Sequence, residues 1–524
     1  VLRCSERLRR CCPLCFEELR FGRGVDEGMD FHVAVDANFN QRHNTAAGDC
    51  PPIGYQHVYL LPAVRVTEME QRLEEAGKRP PRPYTAEVPE VVVTGCDESH
   101  EAGDPAKHKT AGRQFDDKGM LALVCRHDAP LCFVNVTDPG EGQKYALATI
   151  EWLFEQLPRQ ATVVTLYDIG CVTDRTRQLY DVLPAGVSDR LVFATSAMHA
   201  YAHQWTCQLG YNPRFKTGLG LSDGEGVERL WSRLRKLIGI TRWVSRERRL
   251  VLLDRQLQYV GDTIRADLPR WITRRRKAIV KKRWEASEQL RLSGHSLAHA
   301  QAQWSLQRDA ELSLSSRRLE VKHEQLVLEA SELYATLNMQ GDFQEIAGLG
   351  LEFTTALLQT HEAKRNCRER LIERFHEWAR LDAAAGGADQ ALGTGLHQRA
   401  RAALQKRAPA LQRAIKRYNK LCARLRRLRP AGSTFPLPEA LSTDLKKVRD
   451  DGTYLQDVYI SHSVGPAPAW ITDPSLRSAI RAMHVMVRCD EEESRMRREA
   501  SNYSRWILHY STSLQAAARA PASE

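Results

Sequence analysis

Short apolar segments separated by polar turns fill the first half of the chain. The segment FHVAVDANF at 31–39 alternates into an apolar strand that reaches an acid near its end. MLALVCR and LCFVNVT, separated by HDAP, predict a β-hairpin, and the β-branched run in ATVVTLYDIG predicts a buried central strand. RLVFAT predicts one more strand, so this half of the chain is expected to build a sheet.

Helical patterns lie between these strands. QKYALATIEWLFEQLP is amphipathic and ends at Pro158, and DRTRQLYDVL predicts a second helix. The resulting order is strand, hairpin, helix, strand, helix, strand, helix, which is the mixed succession of an RNase H-like fold. We therefore expect an α/β RNase H-like core, a mixed sheet flanked by helices, over residues 31–262.

A charged stretch interrupts the predicted core. Polar residues continue to about residue 60, and LPAVRVTEMEQRLEEAGKRPPRPY then predicts a short helix that Pro81 and Pro83 stop. We expect an insertion at about 41–95.

The pattern changes after residue 262, where strand signals become rare and the composition favours helices. One series of leucines recurs every seven residues, but its companion positions are poor, so an ordinary packed helix is favoured over a dimer zipper. The leucines are Leu312, Leu319, Leu326 and Leu333, and the companions are Ser316, His323 and Ala330. AAAGGADQALGTG and RPAGSTFPLP predict loops.

Four segments follow from these shifts. A cysteine-containing segment covers residues 1–30 and the core covers 31–262. A basic helical region, partly like a coiled coil, covers 263–430, and a C-terminal helical tail covers 431–524. The whole is an α/β core followed by a long all-α C-terminal region.

Composition narrows the classes of protein. The 524 residues carry a net charge of +11 and a pI near 9.0, which favours a polyanionic partner. We find no apolar run of about 18 residues and no apolar signal core at the N-terminus, so we expect an intracellular protein without membrane contact. The 13 cysteines fit reduced thiols or metal ligands better than disulfides. The chain begins at Val1 rather than at a methionine, so we expect the sequence to be a fragment of a longer protein.

Two aspartates close two of the predicted strands. Asp36 and Asp168 would lie side by side at the centre of the sheet, where their negative charges repel unless a divalent cation lies between them. Oxygen ligands suit Mg²⁺ or Mn²⁺. For either aspartate alone a local turn or cap role is the simpler interpretation, and the pair in these positions favours metal binding.

The third ligand is expected from LSDGEGVERLWSRLRKLIG, where Glu225 and Glu228 compete. Ser222 followed three residues later by Glu225 predicts a capping box, which gives Glu225 a structural role. Glu228 borders the apolar stripe of this helix and is therefore favoured as the ligand. Such a triad with two cations about 4 Å apart activates a water or a 3′-hydroxyl and stabilises the leaving oxygen of a phosphodiester.

Several motifs together resemble the Kyakuja/Dileera/Zisupton (KDZ) transposases that are widespread in fungal genomes. They include CPLCF, VDANF, GCDESHEA, FDDKGMLALVCRHDAPL, GEGQKYALATIEWLFEQLP, VVTLYDIGC, FATSAMHAYAHQWTCQLGYNPR and GLGLSDGEGVERLWSRLRKLIG, and they cover most of residues 12–260. YDIGC combined with DGEGVERLWS is the specific part of the resemblance.

The resemblance implies DDE-type DNA cleavage and strand transfer, with Asp36, Asp168 and Glu228 as ligands of two Mg²⁺ or Mn²⁺ ions. ERLWS is also similar to the stretch that carries the glutamate in hAT transposases, which supports Glu228. Ala37 stands where the family usually has glycine, next to an acid that is retained. The implied partners are transposon ends and target DNA, the implied location is the nucleus, and a homo-oligomer is expected because two DNA ends are handled.

Cysteines and histidines form candidate zinc ligands. Cys12 and Cys15 have the spacing of half a zinc knuckle, with Cys4, Cys11 or upstream residues as expected partners and inert surface thiols as the alternative. Two further candidate pairs are Cys96 with His100 and Cys125 with His127.

A last group of candidates follows the final strand. His199, His203 and Cys207 would share one face of a helix, as a zinc half-site or as groups near Asp168. Local packing of the individual histidines is the alternative. HAYAH lacks the glutamate that a zinc protease needs, which argues against peptidase chemistry.

Two basic runs predict contact with DNA. WITRRRKAIVKKRW at 271–284 places seven positive charges between two tryptophans, and KRYNKLCARLRRLR at 416–429 is a second run rich in lysine and arginine. Basic residues grip phosphate and tryptophans stack on bases, and the first run also fits a nuclear import signal. The candidate DNA-binding residues are Trp271, Arg274, Arg275, Arg276, Lys277, Lys281, Lys282, Arg283 and Trp284.

The sequence thus favours a cut-and-paste DNA transposase. A stand-alone RNase H-like nuclease without strand joining and a domesticated, inactive DNA-binding protein remain the alternatives.

Overall fold

The structure is a computed structural model, and it describes most of the chain. The described residues are 3–99, 114–140, 142–203, 205–317, 394–429, 437–444, 447–448 and 469–519, with individual positions between 352 and 371. Of the leucine series, Leu319, Leu326 and Leu333 lie outside the described residues, as does nearly all of the predicted loop at 383–395.

A mixed five-stranded sheet forms the centre of the first half. Its strands follow the order β5, β4, β1, β6, β7, and β1 is antiparallel to β4 but parallel to β6. β6 is parallel to β7, and β4 and β5 form the predicted hairpin. The described strands are β1 (Phe31–Asn38), β2 (His43–Asn44), β3 (Phe115–Asp117), β4 (Gly119–Cys125), β5 (Pro130–Val136), β6 (Val163–Tyr167) and β7 (Leu191–Ala194).

The described chain also contains helices, several of which pack against this sheet. They are Glu6–Cys11, Pro13–Phe16, Ala63–Gly77, Glu90–Ser99, Gln143–Glu155, Gly170–Leu179, Ala185–Ser188, Trp205–Tyr211, Gly226–Leu234, Ile238–Thr241, Arg246–Ser293, Leu297–Arg317, Thr394–Leu428, Ala469–Thr472 and Pro474–Arg519. Three short 3-10 turns are Thr45–Ala47, His199–Ala202 and Arg235–Leu237. Among the helices that the structure describes, none combines the length and the apolar character that a bilayer span requires.

The predicted α/β core and helical C-terminal region are confirmed. Gln143–Glu155 packs against β4 and β5, and Gly226–Leu234 packs against β1 and β4, because each helix turns an apolar stripe to the sheet. The charged helix predicted in the insertion is present as Ala63–Gly77.

The chain divides into two compact units. The first consists of residues 1–200, 207–288 and 484–524, and the second of residues 201–206 and 289–483. The sheet lies entirely in the first unit, together with the last part of the C-terminal helix.

A buried ion pair fixes the long helix Arg246–Ser293 to the sheet. The Arg249 side chain is fully buried and donates to the Asp117 carboxylate at 3.0 Å. It also donates to the Asn135 side chain and to the Gln41 carbonyl, both at 2.7 Å. Arg246 reaches the same aspartate at 2.9 Å. One buried arginine therefore joins the helix to β3, β5 and the loop after β1.

The part of the C-terminal helix that belongs to the first unit packs against the rest of that unit through buried polar contacts. Glu492 accepts from Arg126 at 2.5 Å and from Arg275 at 2.6 Å, and Asn502 donates to the Leu14 carbonyl at 2.8 Å. The sheet, the long helix and the C-terminal helix are thus joined at one place.

Candidate active site and metal centres

Asp36 and Asp168 lie on neighbouring parallel strands. β1 and β6 are in register with Val35 opposite Tyr167, so the next residue on each chain is one of the two aspartates. Asp168 directly follows β6 and is 8% exposed, whereas Asp36 is half-buried within β1. The two carboxylates therefore stand at the same level in the middle of the sheet.

The loop after β7 holds the Asp168 side chain. The Ser196 hydroxyl donates to Asp168 Oδ1 at 2.8 Å, and His199 forms an ion pair with Oδ2. Gly224 has a φ of +76°, and a Cβ there would lie 2.8 Å from the Leu166 Cβ and 2.9 Å from the Ser196 Cβ. Glycine is required because the loop before the next helix passes directly against the end of β6.

The helix Gly226–Leu234 supplies the contact with Asp36. Trp231 Nε1 donates to Asp36 Oδ2 at 3.4 Å, while Asp36 Oδ1 accepts from the Ala37 backbone at 2.8 Å. Glu228 lies in the first turn of this helix, three residues before Trp231 and on the same side. This half-buried glutamate is thus on the part of the helix that borders β1.

The predicted capping box is wrong. The helix begins with Glu225 as its N-cap, and the Ser222 hydroxyl instead hydrogen-bonds His32 Nδ1 at 2.8 Å. Glu225 Oε1 accepts from the Met198 backbone at 2.9 Å, in the loop that holds Asp168. Burial, with the negative charges of Asp223 and Glu228, raises the pKa of Glu225 to about 7. Glu225 is therefore an acid beside the loop that holds Asp168. Because the capping box is absent, it gives no reason to prefer Glu228 over Glu225 as the metal ligand.

The described residues contain three groups of ligand atoms spaced for one metal ion, each within 4.8 Å, and the trio of Asp36, Asp168 and Glu228 is not among them. Two ions about 4 Å apart spread their ligands more widely than one ion does, so the trio stays a prediction. The groups are Cys12 with Cys15, Cys125 and His127; Cys96 with Cys171, His203 and Cys207; and His43 with Asp116 and Asp117.

The first group joins two predicted pairs. His127 Nδ1 lies 3.1 Å from Cys15 Sγ and 3.5 Å from Cys12 Sγ. All four side chains are buried, so the alternative of inert surface thiols is wrong, and so is the expectation that Cys4 or Cys11 completes the site. Burial raises the pKa of the Cys125 thiol, but hydrogen bonds with Cys12, Cys15 and His127 outweigh it and hold the pKa well below its usual range.

The second group contains one residue that the sequence did not indicate. Cys171 follows Asp168 by three residues, and its sulfur lies with those of Cys96 and Cys207. The single helix predicted through His199, His203 and Cys207 does not form, because a 3-10 turn ends at Ala202 and a new helix begins at Trp205. His199 therefore pairs with Asp168, and His203 joins the cysteines. His100 lies outside the described residues.

The third group is better explained by ion pairs. His43 Nδ1 contacts Asp116 at 2.6 Å and His43 Nε2 donates to the Val244 carbonyl at 2.8 Å. Asp117 already pairs with two arginines. These polar atoms are satisfied without an ion.

Residues 29–260 match the family model of the Kyakuja-Dileera-Zisupton transposase. Over these residues the chain is similar to KDZ transposases. The matched region contains all seven strands that the structure describes, together with Asp36, Asp168 and Glu228. No curated protein and no solved structure matches the chain. The match supports an enzymatic role on DNA.

The basic run lies beyond the matched region, on the long helix. Some of its side chains pair with acids or pack against a neighbour, and the others are exposed. Arg274 pairs with Asp267, Arg275 with Glu492, and Arg283 with Asp490. Trp271 packs against the His127 ring at a centroid distance of 4.4 Å. The exposed set comprises Arg276, Lys277, Lys282 and Trp284, which is 66% exposed. Lys281 is exposed as well but forms an ion pair with Glu285 at 3.8 Å.

Proposed function

We propose that this protein is a DDE-type DNA transposase with an RNase H-like core that cleaves at element ends and joins the freed 3′-hydroxyl to target DNA. The observation that carries the proposal is the register of β1 and β6, which sets Asp36 beside Asp168. The strand order, with the β4–β5 hairpin on one side of β1 and the two strands β6 and β7, parallel to β1, on the other, is that expected of an RNase H-like sheet. The KDZ match over the same residues supports the reaction class.

Asp36, Asp168 and Glu228 are the proposed ligands of two Mg²⁺ or Mn²⁺ ions. Carboxylate oxygens are the donors these ions prefer, and two aspartates at one level of adjacent strands fit them. When bound, the ions supply an activated water or 3′-hydroxyl and stabilise the leaving oxygen. Ser196 and Trp231 each donate to one of the aspartates and so fix its orientation.

A strand-transfer assay with pre-cleaved element ends separates the alternatives. A transposase joins the ends to target DNA in Mg²⁺, and a nuclease without strand transfer cleaves intact ends but leaves pre-cleaved ends unjoined. A domesticated DNA-binding protein does neither while it still binds DNA. The proposal also expects action in the nucleus on paired ends, which requires at least two copies of the chain.

The two glutamates should differ in their effect on catalysis. We expect Glu228→Gln to lower the single-turnover cleavage rate in Mg²⁺ by about a thousandfold, because loss of a metal ligand removes about 4 kcal/mol of transition-state stabilisation. Glu225→Gln should stay within about tenfold of the wild type, since that side chain already holds a backbone amide. The reverse order would make Glu225 the ligand, and two active variants would remove the acid trio from the mechanism.

The exposed side chains of the basic run should hold phosphate. Lys277 and Lys282 are exposed on the long helix, near the exposed Trp284. The double variant Lys277→Gln, Lys282→Gln should weaken DNA binding and reduce the slope of log affinity against log salt by about 2, because each lysine releases about one counterion. Arg274→Gln is the matched control, since its charge is paired with Asp267. An unchanged slope in the double variant would place the DNA elsewhere.

A further inference from the structure

Four buried side chains that can ligate a metal come together beside the end of β4. They belong to two segments that are far apart in the sequence. Cys12 caps the short helix Pro13–Phe16, which contains Cys15, and Cys125 ends β4 just before His127 in the hairpin turn. Cys12 and Cys125 are fully buried, and His127 and Cys15 are 2% and 8% exposed. Their ligand atoms all lie within 4.8 Å of one another.

The spacing and the donor set fit one tetrahedral ion. Ligands at about 2.3 Å from zinc in a tetrahedron lie about 3.8 Å apart. The four ligand atoms here all lie within 4.8 Å of one another, and His127 Nδ1 is 3.1 and 3.5 Å from two of the sulfurs. Three sulfurs and one imidazole nitrogen are a common set in structural zinc sites. Four protein ligands leave no open position for water, which distinguishes such a site from a catalytic zinc.

The histidine is oriented as a metal ligand would be. His127 turns Nδ1 toward the cysteines and Nε2 toward Glu499, whose Oε2 lies 3.2 Å away in the C-terminal helix. A ligating histidine commonly donates its other ring nitrogen to a carboxylate, which fixes the tautomer and strengthens the ligand. The Trp271 ring covers the imidazole from the side of the long helix.

We propose that Cys12, Cys15, Cys125 and His127 bind a structural zinc ion, and that Glu499 supports it from the C-terminal helix. The ion joins the CPLC segment to the β4–β5 hairpin directly and to the C-terminal helix through His127. Two nearby hydrogen bonds also join the C-terminal helix to the N-terminal segment. Asn502 donates to the Leu14 carbonyl at 2.8 Å and Arg505 donates to the Glu17 carbonyl at 3.0 Å. This centre is independent of the proposed strand-transfer chemistry.

The site supports β1 from the end opposite Asp36. Cys125 pairs with Val33 in the sheet, and Arg126 donates its backbone amide to the His32 carbonyl at 3.0 Å. Asp36 is three residues further along β1, which is about 10 Å. Zinc here anchors the strand that carries Asp36 without contacting it.

Zinc content of the purified full chain tests the assignment. Cys12→Ala with Cys15→Ala should hold about one equivalent of zinc less than the wild type. Cys4→Ala with Cys132→Ala is the matched control, because both cysteines are buried and neither belongs to a metal-spaced group in the described residues. The comparison by difference is independent of any zinc at Cys96, Cys171, His203 and Cys207. Equal zinc in the wild type and the Cys12/Cys15 variant would overturn the proposal.

The role of Glu499 has a test that does not depend on removing a ligand. Glu499→Gln should retain the fold and weaken zinc retention against a chelator by about 10–100-fold, the usual effect of losing such a supporting carboxylate. Glu493→Gln, an acid of the same helix paired with Arg283 and Arg497, should retain zinc like the wild type. Equal retention in both variants would exclude the contribution of Glu499, whatever the strand-transfer assay gives.

Discussion

Replacing Asp168 by cysteine should lower DNA cleavage in Mg²⁺ by about a thousandfold and leave part of that activity recoverable in Mn²⁺. Loss of one carboxylate ligand removes about 4 kcal/mol of transition-state stabilisation. A thiolate at the same position is a poor ligand for Mg²⁺, and the softer Mn²⁺ accepts it better. Single-turnover cleavage of an element end in each metal measures the effect. Recovery in Mn²⁺ distinguishes a metal ligand from a residue that only supports the fold.

Asp189→Cys is the matched control for this experiment. Asp189 is an exposed aspartate between β6 and β7, so its replacement should leave cleavage in both metals within about twofold of the wild type. Full activity of the Asp168 variant in Mg²⁺ would show that this carboxylate does not hold the catalytic ion.

Arg249→Met should lower the free energy of unfolding of the first unit by about 3–5 kcal/mol. The substitution leaves the fully buried Asp117 with Arg246 as its remaining arginine and removes the donors that Asn135 and the Gln41 carbonyl now have. A buried carboxylate that loses one of its two arginines, and buried acceptors that lose their donor, are costly because no water replaces the lost partner. The thermal midpoint of the unit should fall by about 6–20 °C.

The neighbouring Arg248 provides the control. It is exposed on the same turn of the long helix, so Arg248→Met should change stability by no more than about 0.5 kcal/mol. Equal midpoints for the two variants would mean that the Arg249 network does not hold the helix to the sheet.

Local pattern was sufficient to predict the sheet. The alternation in FHVAVDANF and the β-branched run before Asp168 are properties of a few consecutive residues, and both form strands. The helix with Glu228 followed from an apolar stripe of the same local kind. The capping box failed because Ser222 forms a bond with His32, 190 residues away, which competes with the local cap.

The proposed zinc ligands could not be brought together from local sequence pattern. CPLC and CRH each have the spacing of half a site, but their pairing depends on a hairpin turn 112 residues away from Cys15. Glu499 is 372 residues from His127 and lies in a helix with many other acids. Cys171 had one available signal, its place three residues after Asp168 on the following helix. Such long-range pairings are set by the packing of whole elements.

Anomalous diffraction from crystals of the protein soaked in Mn²⁺ would show whether the three acids hold metal ions. We expect two manganese peaks about 4 Å apart, with Asp36 and Asp168 both ligating them and Glu228 completing the site. Manganese that binds elsewhere while these two aspartates carry none would contradict this expectation.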